Sequence, residues 1–269
     1  MTTIVLPVFG DAAADTRLRM AVSLVRQLRG HLVALHVTPY EAYAAGTLWS
    51  APLMMGELVA SIERLAADIR ARTEARLAQE SISWSFEATS GDVTGSICAR
   101  ARLADLILLP RAVRAGRISD APAIAGDVAV HSATPVLAVP PELDSLDLSG
   151  PALIAWNGSG EAAAALRAAL PLLRHAASAT IVTVAEDKEL DYPAEAAGAY
   201  LARHGIEVGH RALHPAGSIA DTLCAACVDL GAQWLAMGAY GHSRAREFLL
   251  GGVTRAMLDQ APRPLLLAR

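Results

Sequence analysis

The chain has 269 residues, of which 53% are hydrophobic, 19% charged and only 4% aromatic, with a net charge of −4. That composition excludes a disordered or fibrous chain and suits a packed α/β protein, at a length that holds one large domain or two of ordinary size. Slight acidity without any basic run removes the electrostatic footprint of a nucleic-acid binder, and the most apolar long segment, Ala42 to Gly56, is broken by Thr47, Ser50 and Pro52 and is too short to span a bilayer. The first residues, MTTIVLPVFGD, lack the charged start and cleavage site of a signal peptide and read as a first buried strand. Cys98, Cys224 and Cys227 form an odd set without a disulfide framework. The expectation is a soluble, cytoplasmic protein.

Thr3 to Val8 is an apolar run, Ala12 to Leu28 carries apolar residues at helical spacing, and His31 to Val37 is a second run. This β-α-β start implies parallel strands with a crossover helix. From Pro39 to Gly56 the periodicity is lost and Tyr40, Tyr43, Trp49, Met54 and Met55 gather. That stretch reads as a loop insert folded over its own core, with a lid or partner surface as the alternative. A helix from about Glu57 to Gln79, a strand from Ile82 to Ala88, a helix from Asp92 to Arg100 and a buried strand ending at Leu109 follow. A helix to about Ser132 and a strand from Pro135 to Val139 complete the unit.

Pro140-Pro141 and the polar run to Gly150 read as a linker, after which the pattern repeats. Strands are expected at Ala152–Trp156, Thr180–Ala185, Ile206–Leu213, Trp234–Met237 and Pro264–Ala268, with helices at Gly160–Leu173, Ala194–Arg203 and Ser218–Leu230. The chain is thus an internal duplication, with domains expected at residues 1–141 and 150–269. Each half closes on an apolar strand that would otherwise be an exposed edge, so the halves are expected to pack face to face as an intrachain pseudo-dimer, with homodimerisation a further option.

The richest stretch is LAMGAYGHSRAREFLLGGVTRAML, Leu235 to Leu258. A strand ends in Gly238, Gly241 follows, nine residues lead to Gly251 and Gly252, and a helix begins at Val253. Glycines let backbone approach a ligand, and a helix start offers unpaired N–H groups at its positive end. Four glycines on one strand-to-helix crossover make an anion site, most naturally for phosphates. No G-K-[ST] follows, which sets a P-loop aside.

This spacing resembles the nucleotide motif of the universal stress proteins, in their ATP-binding branch. The resemblance implies two tandem doubly wound α/β sheets of five parallel strands, Rossmann-like and of order 3-2-1-4-5, as in the adenine nucleotide alpha hydrolase-like fold. It also implies adenine-nucleotide binding, with ATP and accompanying Mg²⁺, in a stress-response sensor or regulator. By the same resemblance the phosphates lie on backbone around Met237, Gly238, Gly241, Gly251, Gly252 and Val253, the nucleoside contacts Asn157, and Val184 frames the adenine. The family pattern has Ser or Thr where Gly252 stands, and Asp where Asn157 stands. Asn157 also reads as an Asx-type turn before a helix.

In the first half, Pro110 and Val113 stand where Gly238 and Gly241 stand, Asp127 lies near the place of Gly252, and Phe9 takes the place of Asn157. The expectation is one nucleotide per chain, in the second half. Cys224-Ala-Ala-Cys227 lies inside a helix and reads as small buried residues. His242, Ser243, Arg244 and Arg246 of the loop offer side chains to a polyphosphate, and no metal ligand set is read from the histidines. No catalytic constellation stands against the site, so at most slow hydrolysis is expected. The rivals are a nucleotide-free scaffold and an alpha hydrolase-type enzyme. The latter's S-G-G-x-D-S loop is not matched by Asn157-Gly-Ser-Gly-Glu161.

Overall fold

The computed structural model describes residues 1–39, 55–111, 124–185, 190, 192–240 and 252–269. Its first half runs β1 (Thr3–Pro7), α1 (Ala14–Leu28), β2 (His31–Thr38), α2 (Met55–Leu77), β3 (Ser83–Ser90), α3 (Val93–Arg100), β4 (Leu106–Pro110), α4 (Ala125–His131) and β5 (Val136–Val139). The second half runs β6 (Ala152–Ala155), α5 (Gly160–Leu173), β7 (Ala179–Val184), α6 (Ala194–Arg203), β8 (Val208–Leu213), α7 (Ile219–Asp229), β9 (Trp234–Gly238), α8 (Gly252–Gln260) and β10 (Leu265–Ala268).

The strands form one ten-stranded sheet of order β3-β2-β1-β4-β5-β10-β9-β6-β7-β8. Within each half every pairing is parallel and the order is 3-2-1-4-5. The halves meet where β5 and β10 run antiparallel, Leu266 opposite Leu137. The expected face-to-face packing is corrected here: the closing strands join edge to edge. Backbone N–H and C=O groups on two apolar edges find partners in each other, which face-to-face packing would leave unpaired.

Burial follows the sequence. LILLP in β4, VLAV in β5 and LLLA in β10 are buried throughout, as strands covered on both faces must be. The outermost strands, SWSFEATS in β3 and VGHRAL in β8, are polar and mostly exposed or half-buried. Two apolar layers cover the sheet, one under α1, α2, α5 and α6, the other under α3, α4, α7 and α8, and each draws on both halves.

Residues 140–150 also depart from expectation. Leu146 and Leu148 are buried in the first layer. The Gln27 side chain of α1 donates to the Leu146 carbonyl at 2.6 Å and accepts from the Leu148 N–H at 3.0 Å, as a neighbouring strand would. The polar run is therefore a strap pinned along α1, because every second or third residue in it is an apolar anchor.

Candidate functional site

In the second half β6 lies between β7 and β9, and chain order departs in both directions from it. At such a switch point the loops beyond the two strand ends diverge and leave a crevice at the carboxyl edge. Asn157, Val184 and Gly238 stand at the carboxyl ends of these three neighbouring strands, and α8 starts at Gly252. The structure thus brings Asn157, Val184, Met237, Gly238, Gly252 and Val253 to one edge. Gly241, Gly251 and the loop residues His242, Ser243, Arg244 and Arg246 lie outside the described residues.

The glycine at 238 has a definite steric cause. A Cβ there would stand 2.6 Å from both the Ala162 nitrogen and the Glu161 carbonyl carbon, main-chain atoms of the first turn of α5. Gly238 therefore lets α5 start against the end of β9. Gly252 differs: an added Cβ meets nothing within 4 Å, and the residue is exposed at the start of α8. Met237 turns its side chain into the core beside Met257 and Leu258, so only its backbone faces the edge. Val184 is half-buried on the same apolar layer.

Asn157 is exposed, and its Oδ1 accepts from the Ser159 N–H at 3.2 Å and the Ser159 hydroxyl at 2.8 Å. Ser159 in turn caps α5 by accepting from the Ala162 N–H at 3.1 Å. The Asx-type turn is formed, and among the described residues the Asn157 amide nitrogen has no hydrogen-bond partner.

Two residues without a role in the sequence reading shape the turn. Tyr240 holds a left-handed φ of 64°, unusual for a residue with a side chain. Its N–H donates to the buried Thr254 Oγ1 at 3.3 Å, tying the chain beyond β9 to the first turn of α8. The signal was present in the Thr of Gly-Gly-Val-Thr, though a tether of this kind depends on a backbone twist that spacing does not reveal. Burial, and secondarily Asp127, push the Tyr240 hydroxyl pKa up to about 12.

The first half has the same edge, filled. Asp11 and Arg17 are both buried and paired, Arg17 Nη1 donating to Asp11 Oδ2 at 2.7 Å, and the Arg17 guanidinium lies 5.7 Å from the Phe9 ring. Helix α2 lies over the turn: a Cβ at Gly10 would be 3.2 Å from Ile69 Cδ1. Pro110 ends β4 without an N–H to offer. Asp127 is displaced from its expected place. α4 ends as far before β5 as α8 ends before β10, so Asp127 matches Ala256, a turn inside the helix, and its charge acts on the Tyr240 hydroxyl of the other half.

Cys227 is buried and Cys224 partly so, both free, with burial raising both thiol pKa values and taking that of Cys227 to about 11. These are packing residues, as expected. Among the described residues no His, Cys, Asp or Glu cluster could hold a metal, and no helix is long and apolar enough to cross a membrane.

Residues 150–269 match the model of the universal stress protein family. No curated protein sequence matches the chain. Among solved structures, a universal stress protein from Archaeoglobus fulgidus DSM 4304 is similar at a TM-score of 0.74 and 17% identity, over 99% of this chain and 96% of its own. A Pseudomonas aeruginosa UCBPP-PA14 protein assigned to the same group gives 0.58 and 16%, over 100% and 93%. At such identities the likeness speaks for the fold. Residues 150–269 are thus similar to the universal stress protein family, and the first half repeats the same five-stranded topology.

Proposed function

We propose that the chain, divided between residues 141 and 150, binds one adenine nucleotide, ATP or a close relative, in its second half, and that it acts as a stress-response sensor or regulator. The phosphates would lie on backbone N–H groups from Gly238 through Gly241 to Gly251, Gly252 and Val253, at the positive end of α8. The nucleoside would lie between Asn157 and Val184. Mg²⁺ would enter with the phosphates, offsetting their charge in a protein that is itself acidic.

The observation that carries this reading is the contrast between two equivalent edges. In the second half, among the described residues, Asn157 is exposed at the edge and a Cβ at Gly252 meets nothing within 4 Å. In the first, Phe9, the Asp11–Arg17 pair and Ile69 occupy the same place.

Equilibrium titration of the full chain with ATP and Mg²⁺, monitored by calorimetry, should give one site per chain. Two equivalent sites, or one mapped to the first half, would overturn the reading. A nucleotide-free scaffold acting through protein contacts draws support from Asn157, whose carbonyl oxygen is already engaged in its own turn. Absence of uptake in the titration would favour it.

A further inference from the structure

Arg111 stands directly after β4, where the first half has Pro110 and Val113 in place of Gly238 and Gly241. Its N–H donates to the Val139 carbonyl at 2.7 Å, which fixes the backbone against β5. Its side chain leaves its own half, and Nη1 donates to the carbonyl of Ala261, at the far end of α8. Ala261 continues the last helical turn, its N–H bonding the Met257 carbonyl at 2.9 Å. The guanidinium thus sits among the unpaired carbonyls at the negative end of α8, where a cation is favoured. Burial lowers its pKa from the ordinary value, against the opposing influence of Cys224, Glu142 and Asp259.

Aligning β4 with β9 places Ala239, fully buried, where Arg111 stands, so among the described residues the grip on α8 has no equivalent at the matching position of the second half. The nearest return contact is from the chain end, Arg269 Nη1 to the Val130 carbonyl, and it is exposed. At its other end α8 is held by Thr254 accepting from Tyr240, and its buried face, Met257 and Leu258, shares a layer with Ala125, Val128 and Ala129 of α4. A nine-residue helix held at both ends and packed along one side moves as one body. A shift at Ala261 is therefore a shift at Gly252.

We infer that Arg111 is a positioning residue through which the first half, itself without a ligand, sets the placement of α8 and with it the ligand edge of the second half. That α8 receives phosphates rests on the reading above; that Arg111 holds α8 does not.

Arg111→Met keeps the apolar length of the side chain and removes the donor and the charge. The change leaves the Ala261 carbonyl without that donor, so α8 would lose its anchor. Hydrogen exchange of the ligand-free full chain should show α8 amides about tenfold faster in Arg111→Met, the scale of one charge-assisted hydrogen bond, with α7 amides on the same layer unchanged. Arg111→Lys, which restores a cation able to reach a carbonyl, should recover part of the protection. ATP should bind Arg111→Met about tenfold more weakly. If Arg111→Met speeds exchange in α8 no more than in α7, or Lys restores nothing, the grip is disproved. If α8 loosens while ATP affinity is unchanged, the coupling to the ligand edge is disproved. If the wild type binds no ATP, the nucleotide assignment falls, and the exchange comparison still decides whether Arg111 holds the helix.

Discussion

Replacing Gly238 by alanine should destabilise the protein with no change in any hydrogen bond. The new methyl would lie 2.6 Å from two main-chain atoms of α5 and 2.8 Å from Glu161 Cβ, well inside contact distance. Neither backbone atom can rotate away, so the first turn of α5 must retreat from β9 by most of an ångström. Forcing a methyl into a filled site costs about 2 kcal/mol, from a range of about 1–3. For a chain of this size that corresponds to a fall of about 4–8 °C in Tm. Gly252→Ala is the matched control, since its methyl meets nothing within 4 Å and lies at a helix start. Its Tm should stay near wild type or rise slightly, because alanine restricts the unfolded chain and favours helix. Thermal unfolding of the ligand-free proteins by circular dichroism compares the two. Equal melting temperatures for both variants would refute the claim that Gly238 exists for helix–strand approach.

Gly251→Glu should abolish ATP binding by calorimetry, since a carboxylate would enter the phosphate site, while Tm falls only modestly. Gly252→Ser, in open space, should bind ATP at least as tightly as wild type because a hydroxyl joins the backbone donors; weaker binding would tell against phosphates there. Gln27→Ala removes both bonds to the strap and should speed proteolysis between residues 141 and 150 several-fold. The nicked halves should still co-elute on a sizing column without denaturant, held by the β5–β10 pairing and the two shared layers. Cys227, with its thiol raised to about 11, should resist iodoacetamide at pH 8 until the protein unfolds. Because the unfolded thiol ionises near 9 and the folded one near 11, its contribution to stability is intact below pH 9 and is lost as pH rises through that window.

The central strands were legible because parallel strands covered on both faces must be apolar without interruption, as in LILLP and LLLA. The duplication was legible for the same reason; of the glycine crossover, Gly238 and Gly252 lie within the described residues and Gly241 and Gly251 outside them. What spacing could not give was anything decided by contacts between distant segments. Gly238 answers to the first turn of α5, far back in the chain, and Arg111 to a carbonyl in the other half. The strap looked like a linker because its polar residues outnumber Leu146 and Leu148, yet two anchors and one amide suffice to pin it. The edge-to-edge join needed both closing strands at once, whereas sequence reading treats each half alone.

The strap and the β5–β10 seam together change how the assembly responds to dilution. Two separate chains pairing through one strand edge would part as concentration fell, whereas a short tether keeps the partners at an effective concentration in the millimolar range whatever the amount of protein. The pairing then no longer limits the range over which the protein works. Under the function proposed above, occupancy of the second half should follow a simple hyperbola in free ligand at every protein concentration.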